Sequence, residues 1–228
     1  MTTPALPSAP SPRPYGWRIA LGAAGAALLA GGALHPDADS SAPLREELAV
    51  MTADPNWVPG HSLVVLGTVL LVGALYMARL QRVWPRSTDR VVVAVTAAFA
   101  LYAVETVFHL AAAVDSDALH AGHAAPVAFT HIGLAAVLYP VSGIALSVAA
   151  WVLGRALGGP ARVVAALGVV GGVAHALSVP LTLVLTEAEL HLFFVVGGVF
   201  TALWAIGTGV VGARVRTATP VGEPAPVG

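Results

Sequence analysis

Residues 90–114 read RVVVAVTAAFALYAVETVFHLAAAV, and after Arg90 the one charged side chain in the stretch is Glu105. A helix needs roughly 20 apolar residues to cross the ~30 Å hydrocarbon core of a bilayer, and this run is long enough. A carboxylate or an imidazole at that depth is costly unless it is paired or bound to something. Glu105 and His109 stand four apart and Tyr102 three before Glu105, so all three share one helix face. The stretch therefore reads as a membrane-spanning helix with a polar stripe that calls for a function.

Similar apolar runs recur on both sides of it. The chain reads as six spans, at about 17–34, 58–80, 90–114, 126–153, 162–185 and 190–213. The fold class is all-α, a polytopic transmembrane helical bundle occupying residues 15–216. Composition agrees: 228 residues are 57% hydrophobic and 10% charged, against about 25% charged in an ordinary soluble domain. Abundant Ala, Gly and Val suit close helix packing in lipid and are compatible with a homo-oligomer. Residues 1–14 and 217–228, rich in Pro, Ala, Ser and Gly, read as disordered tails.

The loop at 35–57 is the longest. Within it APLREELAVMT, residues 42–52, reads as a short amphipathic helix, with Pro43 in its first turn and Glu46 and Glu47 where the helix dipole favours acids. A solvated connector is the favoured reading, a lid over the bundle mouth the other. Ser40-Ser41-Ala42 also offers a small-residue cleavage site after the first apolar run, the less favoured reading because it lies far beyond that run.

Charge sets the orientation. Arg13, Arg18, Arg79, Arg82, Arg86, Arg90, Arg155, Arg162, Arg214 and Arg216 fall at one end of the spans and only Arg45 at the other; lysine is absent. The positive-inside rule makes the arginine end cytoplasmic, with both termini inside, in a multi-pass protein of the cell membrane. Net charge is −1, which gives no electrostatic reason for a nucleic-acid partner. Membrane lipid is the expected surrounding. Cysteine is absent, which excludes disulfides, thiolate metal sites and cysteine nucleophiles.

All eight histidines then lie toward the other, extracytoplasmic end. His35, His120 and His123 are in or beside loops and read as solvated. His61 and His191 open spans at the interface and are candidate cofactor ligands. Glu105, His109, His131 and His175 are the candidate metal set, on the third, fourth and fifth spans. Trp17, Trp57, Trp84 and Trp151 read as interface anchors. His175 continues into a stripe with Ser178 and Thr182, and Pro140 and Pro180 are expected to bend their helices.

Neutral imidazole suits copper, iron and zinc, and a carboxylate extends the list. The leading expectation is a transition-metal site near the outer membrane face, taking metal or a small-molecule ligand from outside. Three histidines around an open position would permit the chemistry of a metal-dependent oxidoreductase or of zinc-polarised water. Six spans with intramembrane histidines also loosely resemble the cytochrome b561 type, and that resemblance implies haem b held by two axial histidines. That family carries haem near both faces, whereas the inner half of this chain has no histidine, so a single-haem b-type cytochrome is the form open to it. A third reading is a proton- or cation-coupled transporter or sensor using Glu105, His109 and His175.

Overall fold

A computed structural model of the chain describes residues 15–36, 42–185 and 191–212. The expected tails, the Ser40-Ser41 pair, and Arg13, Arg214 and Arg216 lie outside the described residues. The helices are α1 Gly16–Ala33, α2 Leu44–Ala53, α3 Trp57–Leu80, α4 Asp89–Ala111, α5 Ser116–His120, α6 Pro126–Leu157, α7 Ala161–Val184 and α8 His191–Val211. Short 3-10 turns at Arg86–Thr88 and Ala112–Asp115 flank α4. There is no strand among the described residues.

Among the described residues five helical stretches are long and apolar enough to cross a membrane, Trp57–Leu80, Arg86–His120, Pro126–Leu157, Ala161–Val184 and His191–Val211; α1, the first of the six expected spans, is not one of them. Their outward faces carry exposed Leu, Val and Ile, among them Leu101, Val104, Ile144, Val163 and Leu203. This is an apolar helical bundle of the multi-pass membrane kind. α1 has 18 residues and packs beside α3 and α8. α6 reaches Leu157, beyond the expected end at Leu153, and is continuous through Pro140, as α7 is through Pro180.

Each of the six long helices packs chiefly on two others: α1 on α3, α3 on α4, α4 on α6, α6 on α7, α7 on α8, and α8 back on α1. Sequence neighbours are spatial neighbours, and the ring closes. Small residues set the spacing. A Cβ on Gly143 of α6 would collide with the Gly172 carbonyl of α7, so backbone meets backbone there, as it does where small residues line helix interfaces in lipid.

The ring has two dissimilar ends. The end that bears the arginines is filled by Trp17, Leu21, Leu71, Leu75, Val95 and Leu146, all buried. The end that bears the histidines encloses a cavity of about 560 Å³. α2 lies over that end: Leu48 and Ala49 are buried in a small cluster with Trp57, Ala112 and Leu119, and Leu44 and Met51 line the cavity. Arg45 Nη1 donates to the His123 carbonyl at 2.8 Å and its guanidinium stands over the Phe129 ring. α2 is thus a packed cover, not the solvated connector the sequence favours, because three of its ten residues, Leu48, Ala49 and Thr52, find a buried surface.

Candidate functional site

α4 supplies Glu105 and His109 one helical turn apart on its inward face. α3 supplies His61 one turn after its start, and α6 supplies His131 in its second turn. His35 follows the end of α1. These five converge beneath α2.

Two overlapping groups have ligand atoms within 4.8 Å of one another: His35, His61 and His109, and Glu105, His109 and His131. His109 belongs to both. Its ring stacks on His131 at 3.8 Å between centroids and lies 4.2 Å from His61, and His35 is 5.0 Å from His61.

Hydrogen bonds to backbone carbonyls fix two of these rings. His61 Nδ1–H donates to the Trp57 carbonyl at 2.7 Å, and His35 Nδ1–H to the Pro36 carbonyl at 3.0 Å. The His61 imidazole therefore turns its Nε2 lone pair away from that bond. His61 Nε2 is buried and has no partner among the described residues. A buried acceptor without a partner costs about 1–3 kcal/mol. Metal-bound histidines show this same pattern, one nitrogen fixed by a carbonyl and the other on the metal.

Glu105 is wholly buried. His131 Nδ1–H donates to Glu105 Oε1 at 2.7 Å, and His109 Nδ1 is 3.8 Å from the same oxygen. Glu105 Oε2 has no partner among the described residues. The i,i+4 spacing points Glu105 at His109, yet the short bond is the one to His131 across helices. Matched position on two packed helices, α4 and α6, not spacing along one, decides it.

Trp57 completes the wall. It is wholly buried, its ring lies 4.0 Å from that of His61, and its Nε1–H donates to the Leu110 carbonyl at 3.2 Å. The sequence reading of Trp57 as an interface anchor is corrected by this packing. His35 is likewise half-buried in the cluster and not solvated, whereas His120 and His123 are exposed. The only sequence signal for His35 was its position at the histidine end of the first span.

Of the remaining candidates, His175 and His191 both line the cavity but belong to neither ligand group. His191 is exposed at the start of α8. His175 stacks on Tyr139 at 4.3 Å and meets Tyr102 edge to face at 4.9 Å. The Ser142 hydroxyl donates to the Leu138 carbonyl at 2.6 Å, and His175 Nε2–H donates to Ser142 Oγ at 3.1 Å. The hydroxyls of Ser178 and Thr182 return to carbonyls of their own helix, so the expected polar stripe on α7 reduces to His175.

The site thus has two storeys: a histidine cluster under α2, and below it a Tyr102–Tyr139–His175 floor resting on the apolar plug. No family model, curated protein or solved structure matches this chain.

Proposed function

We propose that the chain is a six-span membrane protein with both termini in the cytoplasm, and that it holds a transition metal near its extracytoplasmic face. His35, His61 and His109 are the ligands. His131 and Glu105 stand behind them, with Glu105 fixing the His131 ring. The observation that carries this reading is the buried, unpartnered His61 Nε2 among converging imidazoles.

The residues fit such an ion on chemical grounds. Three neutral nitrogens suit copper, iron or zinc, and a buried carboxylate beside them supplies counter-charge that an ionised group in an apolar surrounding requires. Three protein ligands leave an open position, the arrangement of catalytic rather than structural sites. A metal so held supplies Lewis-acid or one-electron chemistry to a bound molecule. The protein's own part is to hold the imidazoles in one tautomer through the Trp57 and Pro36 carbonyls and to exclude bulk water with α2. The favoured activity class is a metal-dependent oxidoreductase.

Haem b held by two axial histidines fits less well. A macrocycle has to separate its two axial rings, and His109 and His131 are stacked at 3.8 Å. A transporter also finds less support, because Leu71, Leu75, Val95 and Leu146 fill the bundle below the cavity and offer an ion nothing to bind.

Elemental analysis of the purified full chain is the test. About one equivalent of copper, iron or zinc per chain is expected, falling to background in His35→Ala/His61→Ala/His109→Ala, with no Soret band. A metal-free chain, or metal content unchanged in that triple variant, overturns the reading.

A further inference from the structure

The wall of the cavity is not uniform. Toward the arginine end α1 and α8 touch: a Cβ on Gly25 would lie 2.6 Å from the Ala202 carbonyl oxygen, and Arg18 Nε–H donates to the Gly209 carbonyl at 2.8 Å. Toward the histidine end the same two helices leave space. A Cβ on Gly32 of α1 or on Gly198 of α8 would meet nothing within 4 Å among the described residues. Both glycines are exposed and both line the cavity, together with the exposed Val195 and Val199. The cavity therefore opens sideways between two apolar helices, where a bilayer presents acyl chains.

Its interior combines apolar and aromatic side chains with a few polar groups. Phe99, Val179 and Ile132 supply apolar wall, while Tyr102, Tyr139 and His175 offer two phenol groups and an imidazole. About 560 Å³ lies within the range of small-molecule sites, roughly 300–1,000 Å³. No arginine lines the cavity among the described residues, and the chain has no lysine, so an anionic headgroup would find neither a guanidinium nor an ammonium group there.

We propose that the gap between α1 and α8 is a lateral portal, through which the cavity takes a lipid-soluble molecule with an oxygen-bearing aromatic head, of the quinone or phenol class. The head lies against Tyr102, Tyr139 and His175, and the tail leaves past Gly32 and Gly198 into the outer leaflet. Ring stacking on Tyr139 and His175 orients the head; a tyrosine hydroxyl donates to a quinone oxygen, and His175 Nδ1, with Nε2–H given to Ser142, accepts from a phenol hydroxyl. As a statement about substrate this rests on the metal reading above; as a statement about binding it does not.

The experiment uses the full chain in lipid nanodiscs, titrated with decylubiquinone, with metal content measured on the same samples. Saturable binding is expected above the partition into empty discs. Gly32→Phe/Gly198→Phe, which fills open space, is expected to weaken it about tenfold or more while metal content stays unchanged. Tyr139→Phe/His175→Ala is expected to weaken it similarly with the portal left open. Binding no greater than in empty discs overturns the proposal, as does wild-type affinity in the portal variant. Saturable, portal-dependent binding to a chain that carries no metal supports the proposal and overturns the metal reading alone.

Discussion

The two oxygens of Glu105 have different surroundings. Oε1 accepts from His131 at 2.7 Å, and Oε2 is buried with no partner among the described residues. Oε1 also stands 3.8 Å from Nδ1 of the proposed ligand His109, and removing a carboxylate that supports a ligating histidine typically costs about 10–100-fold in metal affinity. Glu105→Gln keeps the shape and loses the charge, so it is expected to weaken metal binding by about that factor without unfolding the chain. Competition against a chelator of known affinity measures it; unchanged affinity would leave Glu105 a purely structural hydrogen-bond acceptor. At this scale the sequence exposed Glu105, His109 and His131 because polar groups stand out in an apolar run. It hid His35 and Trp57, since a histidine just beyond a helix and a tryptophan at a helix start look alike whether they face water, lipid or a cluster.

Among the elements, α6 depends on a contact that spacing does not reveal. Asp115 Oδ2 accepts from the backbone N–H of Val127 at 2.7 Å and of Ala128 at 3.0 Å. It satisfies two of the N–H groups that open the helix and places negative charge at the positive end of its dipole. Asp115→Ala is expected to cost about 1 kcal/mol, the usual value for a lost N-terminal cap. Since α6 carries His131, whose ring stacks on the proposed ligand His109 at 3.8 Å, the same change is expected to loosen metal binding modestly. Thermal melting in detergent reads the first effect and metal retention the second. The helices themselves were legible from apolar runs, because length and hydropathy are local properties. The packing of α2 was not, because its buried face depends on what lies beneath it.

For the molecule as a whole, the ring closure is the feature no local pattern gives. It follows from which faces meet across space, α8 on α1 above all. Sidedness is a separate property, inferred from arginine positions, and the absence of cysteine makes it directly measurable. Ser87 and Asp117 are both exposed and lie at opposite ends of α4 and its flanking turns. With Ser87→Cys and Asp117→Cys made singly, a membrane-impermeant maleimide added to intact cells is expected to label only the second. Labelling of the first alone would invert the topology and turn the histidine cluster toward the cytoplasm. The meeting of α1 and α8 has one further consequence. Arg18 bonds to Gly209, and a Cβ on Gly212 would strike the Trp17 ring, so the outermost described turns of the first and last helices are neighbours. Where the two ends of a fold adjoin, the starting point of the chain becomes a matter of gene order more than of architecture. A circularly permuted version, spliced across those ends and opened at Ser87, would build the same ring from a different first helix.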